Sequence, residues 1–399
     1  MYIKRTISDQ VKYFASKFPV VAVVGPRQSG KTTLITHIFK DKPYVSLENP
    51  DNRLMALEDP RAFLNKFPEG CIIDEIHKAP ELFSYMQEIV DFSNQDGKFI
   101  ITGSQNFLMF ENISQTLAGR VAILKLYPFS FKELNDNISP FLNNFYDYIY
   151  YGGYPRIFNK NLKPNEWLPF YIETYIEKDV RSLKKINDLY KFQIFIKSCA
   201  GRIGQVLNLS SLANDCGITH TTAREWLNIL EASFILFTVK PFYKNFNKRI
   251  IKMPKIYFYD TGLVCNLLGL TNVGDLKNHY LKGNLFENFI ISDFLKLINN
   301  LNLNKEIYYW RDSVGHEIDM LIDSVEGIKV FEIKSSMTIN KAFFKNINYL
   351  KKINNDIPIF PFIIYGSDDN YIYNEMQVLS WKNLDKALNQ TNKTRKIRG

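Results

Sequence analysis

The sequence has few cysteines, and none of them stands in a pattern typical of metal binding or disulfide pairing. The 399 residues include four cysteines, at the distant positions 71, 199, 216 and 265, with no CxxC pair. A disulfide framework or a zinc site would need closer and more regular spacing. No signal-peptide-like segment opens the chain, and no apolar run approaches the roughly 18 residues that span a bilayer. These absences predict a cytoplasmic protein without a membrane partner.

Acidic residues are fewer than basic ones. Lys and Arg number 50 against 41 Asp and Glu, which gives a net charge of +9. This balance favours a polyanionic partner such as nucleic acid but is too weak to identify one. Hydrophobic residues make up 46% of the chain, so each domain can bury a core of its own. The length predicts two or three such domains.

Apolar strand-like runs alternate with helical segments up to about residue 135, as in a parallel α/β sheet. We expect a first domain over residues 1–155, a helical and winged-helix module over 156–270, and a mixed α/β domain over 271–399. The boundaries follow the turn-rich YYGGYP and a glycine-containing stretch, 269–283, that is expected to be a linker. The predicted strands of the first domain are Val20–Val24, Tyr44–Leu47, Cys71–Asp74, Lys98–Thr102 and Ala122–Leu126.

Residues 25–32, GPRQSGKT, match the phosphate-binding pattern GxxxxGK[ST] at every fixed position. An apolar strand enters this loop and a helix leaves it, so backbone N–H groups can curl round phosphates at a helix N-terminus. Lys31 is expected to reach the β- and γ-phosphates of ATP, and the Thr32 hydroxyl to ligate Mg²⁺. The predicted nucleotide-binding residues are Gly25, Pro26, Arg27, Gln28, Ser29, Gly30, Lys31, Thr32 and Thr33.

A second buried strand ends in two acids, Asp74 and Glu75. Asp74 is predicted to hold the Mg²⁺, and Glu75 to polarise the attacking water. A bare switch would not need the second carboxylate, so the pair favours ATP hydrolysis over nucleotide binding alone. The alternative is a strand that ends in a solvated acidic turn.

Two further positions each have two interpretations. Thr102 and Ser104 end another buried strand, where they could sense the γ-phosphate or position the water, or could simply form a turn. Arg120 stands just before the next strand. It could stabilise transition-state charge on a neighbouring γ-phosphate, or could form an ordinary salt bridge.

Residues 210–230 have the pattern of a helix-turn-helix, with Gly217 in the turn and Thr219 capping the second helix. The hairpin that follows carries six cations and no acid, with aromatics interleaved, and would attract a phosphate backbone. This predicts a winged helix that binds DNA; the alternative is an intramolecular lid with a solvated basic edge. The side chains concerned are His220, Thr221, Arg224 and Asn228 on the helix, and Lys240, Phe242, Tyr243, Lys244, Phe246, Lys248, Arg249, Lys252 and Lys255 on the hairpin.

Two strand-like segments near the C-terminus are joined by a tight turn. If residue 323 pairs with 328, Asp319 lies opposite Glu332 on one face, with Lys334 beside them. A divalent metal, Mg²⁺ or Mn²⁺, would relieve the repulsion between these carboxylates, with Glu287 as a further ligand. Lys334 would then steady an oxyanion or the attacking water. In the same register Glu317 faces Lys334, so a cross-strand salt bridge is the alternative.

Together, GPRQSGKTT, IIDEIH, ITGSQ and LAGRV resemble a group of bacterial and archaeal AAA-type ATPases. These are fused to a C-terminal domain of uncharacterised function with a restriction-endonuclease-like, PD-(D/E)XK-type fold. The resemblance continues through YGGYP, YIEKDV, YFYDTGL, GNLFENFI, YYWRD and FEIKSS, and therefore covers nearly the whole chain. It implies that Arg120 is an ATPase-associated arginine.

We therefore expect an α/β protein with three parts: a P-loop AAA-type ATPase core, a helical and winged-helix middle, and a nuclease-like C-terminal domain. ATP turnover would be coupled to DNA binding and to metal-dependent DNA cleavage, in copies that assemble through their ATPase interfaces. The runner-up is an ATP-gated regulatory or scaffolding switch whose C-terminal domain binds but does not cut. Salt-dependent DNA binding separates the two. A nucleotide kinase or a small GTPase would leave two domains unexplained.

Overall fold

The computed structural model describes residues 2–93, 95–104, 116–138, 142–176, 188–242, 251–354 and 357–389. The first sheet is parallel, in the order β2-β3-β4-β1-β5. Its strands are β1 Val20–Val24, β2 Tyr44–Ser46, β3 Cys71–Asp74, β4 Phe99–Gly103 and β5 Val121–Lys125. Each of the five predicted strands is thus confirmed to within one residue. The three central strands are buried at every position, because helices cover both faces of the sheet.

Among the described residues of this domain, five helices cover the sheet: α1 Ser8–Ala15, α2 Lys31–Ile38, α3 Pro50–Glu58, α4 Pro60–Asn65 and α5 Leu82–Phe92. Alternate residues of β1 point to opposite faces, as the period of two in a strand requires. Val21 and Val23 pack with Leu34 of α2 in one core cluster. Val20 and Val24 pack with residues of α4 and α5 in the other.

The middle of the chain is mainly helical, and it contains the two helices and the turn that were predicted over residues 210–230. Gly217 has a φ of +62°, which suits a glycine in the turn. The Thr219 hydroxyl accepts the Thr222 backbone N–H at 3.1 Å and so caps the next helix. The elements are α6 Phe131–Ile138, α7 Phe145–Tyr151, α8 Pro155–Asn159, α9 Pro164–Tyr171, a π-helical turn Ile172–Ile176, α10 Leu189–Ala200, α11 Leu209–Asp215 and α12 His220–Ala232, followed by strands β6 Leu236–Pro241 and β7 Lys255–Phe258.

The C-terminal part contains a mixed sheet that the long helix α15 covers. Its elements are α13 Thr261–Leu267, α14 Val273–Asn278, α15 Lys282–Asn300, β8 Ile307–Arg311, β9 Glu317–Ser324, β10 Gly327–Lys334, a 3₁₀ turn Lys341–Phe344, α16 Lys345–Ile353, β11 Ile359–Tyr365, β12 Tyr371–Tyr373, β13 Met376–Ser380 and α17 Leu384–Asn389. Residue 323 pairs with 328, which confirms the predicted register of β9 and β10.

The C-terminal sheet crosses the predicted domain boundary at residue 270. Its order is β12-β13-β11-β10-β9-β8-β6-β7, because Lys240 pairs with Tyr308 and Pro241 with Tyr309. The hairpin β6–β7 is therefore part of this sheet rather than a separate wing. The stretch predicted as a second linker contains helix α14.

The predicted basic wing is only partly available to a nucleic acid. Lys255 is 1% exposed and Phe242 is buried, whereas Lys240 and Lys252 are exposed. The predicted contacts Tyr243, Lys244, Phe246, Lys248 and Arg249 at the hairpin tip lie outside the described residues. In the part of the chain that the structure describes, no helix is both long enough and apolar enough to cross a membrane.

Candidate active site

The phosphate-binding loop connects β1 to α2 and packs against the end of β5. A Cβ atom on Gly25 would lie 2.1 Å from the Leu126 carbonyl oxygen, so no larger residue fits there. Gln28 and Gly30 have φ values of 63° and 92°. Left-handed residues of this kind turn successive N–H groups toward one point, which makes a concavity for an anion. The loop therefore has the backbone shape that the sequence pattern predicts.

Lys31 is buried at the base of this loop. Its Nζ donates to the carbonyl oxygens of Gly25 and Pro26, both at 2.9 Å. Burial lowers the pKa of Lys31, although the charges of Glu75 and Asp74 oppose that shift. The ammonium group is thus held by weak acceptors, which a phosphate oxygen can replace at little cost.

Asp74 lies where the ends of β2, β3 and β4 meet, with the loop after β1 close by. Its carboxylate accepts hydrogen bonds from Thr32 Oγ1 at 3.0 Å, from the Tyr44 hydroxyl at 2.9 Å and from Thr102 Oγ1. Burial and the charge of Asp74 raise the pKa of Tyr44 to about 12, so the phenol stays a donor. The predicted Mg²⁺ ligands Thr32 and Asp74 are therefore neighbours, and Tyr44 is a partner that the sequence did not reveal.

Glu75 is held in one orientation by the end of β4. Its own backbone is left-handed, with φ 57°, and its N–H donates to Thr102 Oγ1 at 3.1 Å. One carboxylate oxygen accepts from the Ser104 N–H at 3.1 Å and from the Ser104 hydroxyl at 3.0 Å. His77 Nδ1 lies 3.2 Å from the same oxygen.

The charge state of Glu75 follows from these contacts. Burial opposes ionisation, but the adjacent His77 ring, the charge of Lys31 and the hydrogen bond from Ser104 outweigh it and lower the pKa of Glu75 to about 2. Glu75 is therefore ionised throughout the physiological range. The structure brings Ser104 to this carboxylate, which agrees with the interpretation of Ser104 as a residue of the site.

A cavity of about 380 Å³ opens over the loop. One wall is made by predicted residues, among them Lys31, Thr32 and Glu75, and another wall by the start of the middle module. That wall carries two cations, Arg156 and Lys160, which sequence reasoning missed. The sequence signal that could have revealed this wall is Arg156, which follows GGYP directly. The wall is positioned by Gly153, whose N–H donates to Asp260 Oδ2 at 2.6 Å and whose carbonyl accepts the Phe129 N–H at 2.7 Å.

Comparison with known proteins agrees with this geometry. Residues 17–135 match the family model described as an AAA domain. The matched residues contain the parallel sheet and the phosphate-binding loop. Residues 142–274 match "Domain of unknown function (DUF8612)" and residues 282–384 match "Domain of unknown function (DUF4143)".

Two relatives and one solved structure are similar to this chain over 67% of its length or more. The uncharacterized protein Rv2008c of Mycobacterium tuberculosis is 28% identical over 340 residues, which is 84% of this chain and 74% of that protein. The uncharacterized protein MJ1544 of Methanocaldococcus jannaschii is 23% identical over 391 residues, 88% of this chain and 84% of that one. The Walker-type ATPase PABY2304 of Pyrococcus abyssi has a TM-score of 0.46 at 13% identity, over 67% of this chain and 96% of its own.

Arg120 of the AAA-type domain does not approach its own nucleotide cavity. It precedes β5, whereas the phosphate-binding loop follows the other end of the parallel neighbour β1. The two therefore lie at opposite edges of the sheet. Arg120 forms an exposed ion pair with Asp91, with 3.0 Å between Nη2 and Oδ2. Within one chain this is the salt-bridge alternative, and action on a neighbouring copy remains a prediction.

The predicted C-terminal residues do come together, but around lysines. Lys334 Nζ lies 2.8 Å from Asp319 Oδ2 and 2.7 Å from Glu332 Oε2. The Ile333 N–H also donates to Asp319, at 2.7 Å. Burial and the charge of Asp319 raise the pKa of Glu332 to about 8. The predicted face of β9 and β10 is therefore present, with the lysine between its two carboxylates.

Lys255, which the sequence suggested as a DNA contact, is instead the second cation of this cluster. Its Nζ lies 3.0 Å from Glu287 Oε1 and 2.5 Å from Glu317 Oε1. The Tyr257 hydroxyl donates to Glu287 at 2.6 Å. Glu317 also pairs with Arg311 at 3.1 Å, so the predicted salt bridge from Glu317 to Lys334 does not form.

The expected metal site at Glu287, Asp319 and Glu332 is not assembled. Among the residues that the structure describes, no group of three His, Cys, Asp or Glu side chains is arranged to hold a metal ion. The physical reason is that Lys255 and Lys334 lie between the carboxylates and supply the positive charge that a metal was expected to bring.

Proposed function

We propose that the chain is a Mg²⁺-dependent ATPase. The observation that carries the proposal is that Lys31, Thr32 and Glu75 face one cavity, with Asp74 hydrogen-bonded to Thr32 at its edge. Lys31 and the N–H groups of the loop bind the phosphates from one side. Arg156 and Lys160 face them from the other side, where their charge offsets that of a triphosphate.

Thr32 and Asp74 are the residues that would hold Mg²⁺. They fit it, because a hydroxyl and a carboxylate, 3.0 Å apart, are the oxygen ligands that this ion prefers. The ion would supply positive charge to the β- and γ-phosphate oxygens. Glu75, with a pKa of about 2, is a weak proton acceptor. It therefore orients and polarises the attacking water through a charge-assisted hydrogen bond. It does not keep a proton taken from that water.

ATP hydrolysis by the full chain tests this assignment. Lys31→Ala is expected to lower turnover by at least about 100-fold, because charge stabilisation of this kind is typically worth that much. Lys17→Ala, on an exposed lysine after α1, is the matched control and leaves turnover unchanged. Full activity of Lys31→Ala would remove the assignment.

We also propose that α12 binds DNA. The support is that the exposed face of this capped helix presents His220, Thr221, Arg224 and Asn228, close in sequence to the exposed Lys240. If several phosphates are contacted, affinity falls steeply as ionic strength rises. Arg224→Ala should weaken binding of duplex DNA and reduce the salt slope by about one, and Arg61→Ala should do neither. Binding absent at every salt concentration would favour the ATP-gated switch with the helices as a lid.

DNA cleavage by the C-terminal domain is the second candidate. It is supported by the element order α15-β8-β9-β10-α16-β11, with Asp319 on β9 and Glu332 and Lys334 on β10. The lysine pairing of these carboxylates favours the alternative in which the domain binds but does not cut. End-labelled single-stranded, duplex and branched DNA, incubated with Mg²⁺ or Mn²⁺ and with or without ATP, separates the two. Cleavage that Glu332→Ala abolishes supports a nuclease, and intact DNA throughout supports the binding-only alternative.

A further inference from the structure

Residues 125–133, which we call the interlock segment, lead from β5 into α6. A buried arginine connects this segment to the phosphate-binding loop. Arg5 is 4% exposed. It donates from Nη1 to the Ser29 carbonyl at 2.7 Å and from Nη2 to the Tyr127 carbonyl at 2.6 Å. Its Nε pairs with Glu133 at 3.1 Å, and its guanidinium lies 4.6 Å from the Phe129 ring centre. One side chain thus ties the loop to both ends of this interlock segment.

Helix α15 of the C-terminal part also contacts the interlock segment. Asn299 Nδ2 donates to the Lys125 carbonyl at 2.5 Å, and Lys296 Nζ donates to the Phe129 carbonyl at 3.1 Å. The Phe131 N–H donates to Asp293 Oδ1 at 2.9 Å. The three α15 residues are three apart in sequence, which places them along one face of the helix.

Two of these α15 residues are charged and buried, which is costly. Asp293 and Lys296 are each 6% exposed, and each is directed at a backbone group of the interlock segment. Backbone groups in an irregular segment must find partners once they leave water. Because Arg5 and α15 both supply partners to this one short segment, a movement of the segment that breaks its contacts with α15 also disturbs its contacts with Arg5.

We propose that Lys296 and Asp293 are positioning residues of the ATP site, which hold the phosphate-binding loop in its nucleotide-binding geometry through the interlock segment and Arg5. The proposal rests on the ATP-binding function above and adds a dependence on the C-terminal part. α15 also carries Glu287 of the charged cluster, nine residues or about 13 Å along the helix from Lys296. If a change in the C-terminal part alters the affinity for nucleotide, then by linkage nucleotide binding alters the equilibrium of that change by the same factor.

The test is the dissociation constant of a fluorescent ATP analogue for the full chain. Lys296→Met should weaken binding at least about 5-fold, the lower end of ordinary coupling between sites. Lys296→Arg keeps a donor and should restore most of the affinity. Asp293→Leu removes the acceptor for the Phe131 N–H and should also weaken binding, whereas Asp293→Asn keeps an acceptor and should restore most of the affinity. Lys282→Met, on the exposed start of the same helix, is the control.

A double variant distinguishes positioning from general damage. If Lys296 acts through Arg5, Arg5→Met and Lys296→Met together weaken binding less than the product of their separate effects. A product of independent effects, or wild-type affinity in Lys296→Met, would overturn the proposal. Wild-type protein that binds no ATP would instead refute the proposed function itself.

Hydrogen exchange of the wild-type chain covers the case in which Lys296→Met does not fold. A non-hydrolysable ATP analogue should slow exchange in residues 125–133 and in α15 as well as in the loop. Protection confined to the loop and its own sheet would overturn the proposal without any variant.

Discussion

The two charged sites of this chain are built from the same residue types and differ in what neutralises them. Each has two carboxylates near strand ends and a lysine within reach. At Asp74 and Glu75, hydroxyl and N–H groups hold the acids, and Lys31 binds backbone carbonyls instead. At Asp319 and Glu332, the cation itself, Lys334, lies on both acids.

This difference determines which site can accept an external cation. In the first site the pKa of Glu75 is lowered to about 2, so this acid keeps its negative charge. In the second site, burial and the charge of Asp319 raise the pKa of Glu332, and Lys334 lies 2.7 Å from its carboxylate. Neutral hydrogen-bond donors thus leave the negative charge of the first site available to a metal–nucleotide complex. In the second site, lysines neutralise the negative charge within the protein.

The largest expected effect compares the two glutamates directly. Glu75→Gln should reduce ATP turnover by about 10²- to 10⁴-fold, because a charged group that orients the attacking water is lost. ATP affinity should change little, since Glu75 does not hold the phosphates. Glu332→Gln, the equivalent change in the other site, should leave turnover unchanged. Steady-state ATPase rates and ATP titrations measure both; equal losses in the two variants would contradict the comparison.

The next effect concerns the cost of removing a buried cation. Lys255→Met removes a buried cation from the partly buried Glu287 and Glu317, and should lower the free energy of unfolding by about 3–5 kcal/mol. Lys252→Met, at an exposed lysine of the same segment, should have almost no effect. Denaturant unfolding of both variants decides this. A small loss for Lys255→Met would mean that the cluster tolerates an empty cation position and could take a metal there.

Asp293 offers a third environment for a carboxylate, and its effect depends on pH. Burial and the charge of Glu133 raise its pKa from 3.8 to about 6. The folded chain therefore binds this proton more tightly than the unfolded chain, and stability is lost as the pH rises through 6. Asp293→Asn should raise the free energy of unfolding by about 1–3 kcal/mol at pH 7.5 and by less at pH 5. An equal gain at both pH values would contradict this assignment.

The smallest effect is expected at the exposed ion pair of Arg120 and Asp91. Arg120→Ala should change Tm by no more than about 2 °C, because exposed pairs contribute little to stability. If Arg120 serves only this pair, turnover stays at the wild-type value at every protein concentration. A loss of turnover that appears only at concentrations where copies associate would support action on a neighbouring nucleotide.

Local pattern predicted much of the nucleotide site. The five strands and the loop between β1 and α2 follow from short segments whose residues are neighbours in sequence. The cap at Thr219 and the register of β9 and β10 are of the same kind. In each case the deciding contacts are a few residues apart or are repeated at the period of a strand.

The residues that were missed make contacts over long separations. Arg5 reaches Glu133 across 128 residues, and Lys296 reaches Phe129 across 167. Arg156 and Lys160 face the cavity only because Gly153 is fixed between Asp260 and Phe129. No periodicity marks such pairs in a single sequence, so each looked like an ordinary charge.

By itself the sequence determined the parallel sheet, the phosphate-binding loop and the acids at the ends of its strands, because hydrophobic periodicity and backbone sterics act locally. Only the tertiary structure decided that Lys255 turns inward to Glu287, that Lys334 lies on Asp319 and Glu332, and that α15 supports the segment beside the ATP site. The reason is that burial determines how strongly two charges interact. A lysine and a carboxylate attract weakly in water, and only the packing of distant segments removes the water between them.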